Sequence, residues 1–145
     1  MQMIRSIAWL AVATVAFSGI ANAFLPYEVL FETGKAEIIP AGRAVIDQVI
    51  ADAKKAPKAR IILTGHTDRV GPEDYNRRLS QRRAEAVRDA LVAGGVPAEL
   101  ISVEGRGESQ NAMPTADDQP EQANRRVVII FPDLVPEASP TLPAQ

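Results

Sequence analysis

The 145-residue chain has no cysteine, one histidine, and few aromatics: one Trp, two Tyr and four Phe. Without cysteine there is no disulfide, no thiol nucleophile, and no lipid-modified Cys of the kind a lipoprotein anchor needs. A single His without cysteine partners, and no carboxylate cluster at ligand spacing, gives no reason to expect a metal, and no cofactor motif is present. Charge of one sign is also lacking. Sixteen basic residues face 18 acidic ones for a formal net charge of -2, so the overall field predicts neither a nucleic-acid nor an anionic-membrane partner. The arginines at 77, 78, 82, 83 and 88 are diluted by Glu85 and Asp89 and have no interleaved aromatics on which bases could stack.

What is present is ordinary for a globular domain, with 46% hydrophobic and 23% charged residues, and one core is expected. The one long apolar run is N-terminal. Arg5 in a short basic region, an apolar stretch from Ile7 to about Ile20, and Ala21-Asn22-Ala23 as a small-x-small site read as a secretory signal over 1–23, with the mature chain starting at Phe24. The competing reading is an uncleaved anchor, since Ile7 to Pro26 reaches the roughly 20 residues that span a bilayer. Export without disulfides, barrel strands or lipid points to a Gram-negative periplasm.

Within 24–131 the periodicities predict a strand at Tyr27 to Phe31, a helix at Ala41 to Ala56 between Pro40 and Pro57, and a strand at Ala59 to Thr64. The second strand is apolar at successive positions, as if covered on both faces. A second helix from Glu73 to Ala93 ends at Gly94-Gly95, and strands follow at Leu100 to Glu104 and Arg126 to Phe131. Gly105 to Asn124 is a long polar loop. The order strand, helix, strand, helix, strand, loop, strand implies an α/β (α+β) fold, a mixed sheet with two main helices packed on one face. Residues 132–145, with four prolines and no periodicity, read as a disordered or extended tail.

Two charges stand where a packed domain would have neither. Asp68 ends an apolar run in which the strand leads into His66-Thr67-Asp68, and Arg83 falls i+4 from Leu79 and i-4 from Val87 on the apolar face of the second helix. Charges are rarely buried without a partner, so the pair reads either as two sides of a cleft for a ligand carrying both charges or as a structural ion pair.

The run TGHTD, a Gly three residues after the Asp, YNRRLSQRRAEAV, GV, GRGE and NRRVVI resembles the OmpA-like domain, found in the C-terminal parts of OmpA and MotB and in peptidoglycan-associated lipoproteins. The resemblance covers about Tyr27 to Phe131. It implies a β-α-β-α-β-β fold and non-covalent binding of peptidoglycan at the diaminopimelate of the stem peptide, contributing to envelope and outer-membrane integrity. Asp68 and Arg83 match the family's ligand-binding pair, and diaminopimelate carries the complementary ammonium and carboxylate. Replacing either is expected to abolish wall binding and leave the fold intact. Motif matches add Thr33, Gly34, Thr67, Asn76, Leu79 and Arg125 as further ligand-side positions. Asn76 reads equally as a first-turn residue satisfying loop backbone. Alternation sends Arg125 and Arg126 to opposite faces, one beside the cleft or both at the solvent-facing strand end. Glu32 and Gly34 stand where many members carry Asp or Asn, and Gln119 to Ala123 replaces a common Gly-Arg pair.

A Ser-His-Asp hydrolase from Ser80, His66 and Asp68 is resisted by the spacing and by the absence of a nucleophile elbow, so no catalysis is expected. A second class remains open: a structural subunit or tether of an envelope assembly, such as a secretion, motility or stator complex, held by an uncleaved N-terminus.

Overall fold

The computed structural model describes residues 25–134, so the expected signal or anchor over 1–23 and the tail beyond Leu134 lie outside the described residues. Helix α1 (Pro40–Lys55) begins on its proline, whose missing N–H is one that no helical carbonyl would have received. Helix α2 (Glu73–Ala93) carries Glu73 and Asp74 in its first turn, where carboxylates favour the helix N-terminus. It closes through Gly94 and Gly95, with the Val96 N–H returning to the Leu91 carbonyl at 3.0 Å.

Strands β1 (Tyr27–Leu30), β2 (Ile61–Gly65), β3 (Ile101–Gly105) and β4 (Arg126–Ile130) form one mixed sheet in the order β1-β4-β2-β3. β2 and β3 run parallel from Ile61–Ile101 to Gly65–Gly105, while β4 is antiparallel to both β1 and β2. The expected architecture is present. The expected start of β2 at Ala59 is not, because the Ala59 N–H is spent on the Ala56 carbonyl in the turn after α1. Nor is β2 covered on both faces. Ile61, Leu63 and Gly65 are buried, whereas Ile62 and Thr64 are half-buried, because both helices pack on the other side and Ile62 lies beside Ile130.

The core joins Val29, Ile61, Leu63, Val127 and Ile129 of the sheet to Ile46 and Val49 of α1 and Val87 and Leu91 of α2, closed by Phe31 and Phe131. The long polar loop contains a 3-10 turn at Gln122–Asn124. The proposed tail is ordered at its root, where Pro132–Leu134 form a 3-10 turn and Asp133 pairs with Arg60 at 2.6 Å.

What brings α2 over the site is the pair of glycines that ends the two parallel strands. A Cβ on Gly65 would stand 2.0 Å from the Ser80 carbonyl oxygen, and one on Gly105 would stand 2.7 Å from the Gln81 nitrogen. The helix backbone therefore sits directly on the strand ends. Ser80, fully buried, locks the contact: its Oγ donates to the Arg77 carbonyl at 2.7 Å and accepts from the Gly107 N–H at 2.8 Å.

Candidate functional site

Beyond Gly65 the chain stays extended, because the His66 N–H donates to the Arg126 carbonyl at 2.8 Å and the Thr67 N–H to Gly107 at 2.9 Å. That tether delivers Asp68 to the mouth of a cleft at the C-terminal end of β2. The cleft encloses about 320 Å³. Thr33 and Gly34 form one lip, Asn76 and Leu79 of α2 the opposite wall, and Asp68 the polar end. Val70, Gly71, Pro72 and Tyr75 complete it. Gly34 has φ 67°, a left-handed turn that suits a residue without Cβ, and this keeps the lip low.

Asp68 is only 4% exposed and well supplied with donors. Its Oδ1 accepts the Val70 N–H at 3.2 Å, and its Oδ2 accepts from the Arg125 guanidinium at 2.9 Å and the Glu121 N–H at 3.4 Å. Arg125 is held in turn by the Phe31 carbonyl at 3.0 Å. The ion pair of Asp68 is thus with Arg125, 57 positions along the chain, and not with Arg83. Of the two strand-end arginines, Arg125 is the one beside the site; Arg126 turns to the other face, where it meets the Gln110 carbonyl at 3.4 Å.

Arg83 does not line the cleft. It is fully buried behind the Glu32–Lys35 turn, donating to the carbonyls of Lys35 at 2.8 Å, Glu32 at 2.9 Å and His66 at 3.1 Å. Its guanidinium lies over the Phe31 ring, 5.3 Å from the centroid, a cation-π contact. Burial pulls its pKa down to about 10, opposed by the Asp68 carboxylate, so the group stays cationic at neutral pH. One side chain therefore fastens the lip that carries Thr33 and Gly34 to the strand end that carries Asp68. The expectation that residue 83 could be replaced without harm to the fold is overturned by this burial.

Of the remaining expected positions, Thr67 is buried without lining the cleft, and its Oγ1 has no partner among the described residues. Asn76 satisfies loop backbone, as one of its two readings has it, and also lines the cleft. Its Nδ2 satisfies the Val70 carbonyl at 3.0 Å and meets Glu108 Oε2 at 2.8 Å, while the residue faces the cleft. The sequence reading overlooked Val70, Gly71, Pro72 and Tyr75 as cleft residues, and the largest of these is Tyr75, 38% exposed and walling the cleft beside Gly34 and Gly71. The signal was available: Tyr75 lies one helical turn before Leu79 on the same strip of α2.

His66 is 3% exposed, and its pKa is lowered to about 4, first by burial and then by the positive charges of Arg126 and Arg106. Between that value and the ordinary 6.5 the unfolded chain binds a proton that the folded chain refuses. Stability is therefore full above about pH 6.5 and falls as the solution is acidified toward pH 4, by up to about 3 kcal/mol. Urea unfolding across this range should show the slope, and His66→Gln should flatten it. An unchanged slope in the variant would assign the acid sensitivity elsewhere.

A family model described as the OmpA family matches residues 30–126 of the chain. Among curated proteins, outer membrane protein A of Escherichia fergusonii is 37% identical over 111 residues, covering 75% of this chain and 46% of that one. Outer membrane protein A of Klebsiella aerogenes is 44% identical over 87 residues, 59% of this chain and 25% of the relative. The chain thus spans less than half the length of the curated relatives it matches. Among solved structures, the peptidoglycan-associated lipoprotein from Burkholderia pseudomallei superposes with a TM-score of 0.67 at 29% identity, covering 72% of this chain and 88% of that one. The C-terminal domain of Helicobacter pylori MotB shares the fold at a TM-score of 0.64 and 22% identity, over 73% of this chain and 82% of that one. By sequence over two thirds of its length, and by the mixed sheet under two helices, the chain belongs to the OmpA family.

Proposed function

We propose that the cleft binds peptidoglycan non-covalently in the periplasm by taking the diaminopimelate side chain of the stem peptide, and that it performs no reaction. The observation that carries this reading is Asp68, a carboxylate at the end of an otherwise largely apolar cleft of about 320 Å³. A methylene chain fits the Val70 and Leu79 walls, and its terminal ammonium meets Asp68. The distal carboxylate has donors nearby. Thr33 and Gly34 sit on the lip with backbone N–H groups that donate to nothing among the described residues. Beneath the lip lies the Arg83 charge, with three of the five N–H donors of a guanidinium used on carbonyls.

The relatives support the reading, one being a peptidoglycan-associated lipoprotein and others outer membrane proteins, which agrees with a role in the cell envelope. Catalysis has little to work with. Ser80 is fully buried with its hydroxyl committed, and His66 is buried behind the loop, away from the cleft lining. Two charged hydrogen-bonded contacts contribute about 3–6 kcal/mol before association entropy, so a single cleft binds weakly. A polymer compensates by offering many sites at high effective concentration.

The test is titration with a synthetic stem peptide carrying diaminopimelate against one carrying lysine, which lacks the distal carboxylate. Loss of one charged contact predicts about tenfold weaker binding of the lysine peptide. Equal affinities, or no binding of either, would remove the diaminopimelate assignment.

A further inference from the structure

One carboxylate, Asp68, lines the cleft, while Glu108 and Asp118 at its border accept from Asn76 and from the Gly71 N–H. Asp68 is already matched by Arg125, and Arg83 spends its hydrogen bonds on carbonyls. Along α2, Tyr75, Arg78, Leu79 and Arg82 fall at i, i+3, i+4 and i+7 and share one strip. Tyr75 and Leu79 wall the cleft, so the strip runs from the cleft straight onto the two arginines. Both are exposed, and neither forms an ion pair among the described residues, whereas Arg77 pairs with Glu73 and Arg88 with Asp89. The carboxylates nearest along the helix do not quench them. Asp74, one turn before Arg78, makes no pair with it, and Glu85 accepts from Gln81 at 3.0 Å.

We propose that Arg78 and Arg82, with the Tyr75 ring, form a subsite for a carboxylate of the stem peptide adjoining the residue held at Asp68. This rests on the peptidoglycan reading above and narrows it: the preferred ligand is an acidic peptide with one side-chain ammonium. Distance permits it. Seven residues of helix place Arg82 about 10 Å along the axis from Tyr75, the length of about three extended residues. Wall stem peptides carry a γ-linked glutamyl α-carboxylate next to the diamino acid and a terminal carboxylate beyond it, within that reach. Exposed guanidinium-carboxylate pairs are individually weak and screened by salt, so the subsite contributes selectivity more than anchorage.

The experiment compares two synthetic diaminopimelate tetrapeptides, one with the γ-glutamyl carboxylate free and one with it amidated, by titration into the wild type, the Arg78→Gln/Arg82→Gln double variant, and an Arg88→Gln control. The wild type and the control should prefer the free acid about threefold to tenfold at low salt, and the preference should vanish in the double variant and at high salt. Equal wild-type affinity for both peptides, or a double variant that keeps the preference, overturns the subsite and leaves the diaminopimelate reading standing. A wild type that binds neither peptide overturns both.

Discussion

Arg83→Ala is expected to destabilise the fold by about 3–5 kcal/mol, the cost of breaking up a buried, hydrogen-bonded charge site, because it strips three carbonyls of their donor and empties the space over Phe31. Domains of this size have only about 5–15 kcal/mol in hand, so a large part of the stability would go. Equilibrium urea unfolding of the variant is the measurement. Arg83→Lys keeps the charge but gathers its donors on one nitrogen, which cannot span carbonyls now met by three separate guanidinium nitrogens, and it should fall between alanine and wild type. An alanine variant within about 1 kcal/mol of wild type in urea unfolding would mean that the guanidinium is not the fastening that its three hydrogen bonds describe. The consequence for function is that sacculus binding lost in an Arg83 variant says little by itself, since the lip bearing Thr33 and Gly34 would be lost with it.

Asp68→Asn separates binding from folding more cleanly. The amide keeps the shape and an acceptor for the Val70 N–H, but its NH2 then faces the Arg125 and Glu121 donors; because Arg125 keeps the Phe31 carbonyl, the loss of stability should be about 2–3 kcal/mol, below that at Arg83. The ammonium of the ligand, in contrast, loses its only anionic partner among the cleft-lining residues. Affinity for a diaminopimelate stem peptide should drop about tenfold to a hundredfold, and the protein should move from the pellet to the supernatant when spun with purified sacculi. A folded Asp68→Asn protein that still pellets like the wild type would move the binding site away from this cleft.

Much of the architecture was legible because it rests on local rules. The 3.6-residue period from Leu79 through Val87 to Leu91, the proline at the head of α1 and the glycines after Ala93 mark the helices without reference to anything distant. The error at β2 has an equally plain origin. A run such as Ile61, Ile62, Leu63 looks the same whether a second layer covers it or a neighbouring strand merely shields it, and here Ile130 does the shielding. Tyr75 was missed for a different reason. Its place on the Leu79 strip was legible, but at 38% exposure nothing marks it as the wall of a cleft until the Gly34 lip is brought opposite.

The amino-acid order alone determined that Asp68 would follow shortly after an apolar strand and, from the helical period, that Arg83 would point into the protein. Only the tertiary structure decided what each charge does. The partner of Asp68 comes from Arg125 at the start of β4, and the partners of Arg83 are the main-chain carbonyls of Glu32, Lys35 and His66. Every residue has a carbonyl, so no side-chain pattern can single out the three that accept from a guanidinium; the folded path of the backbone selects them.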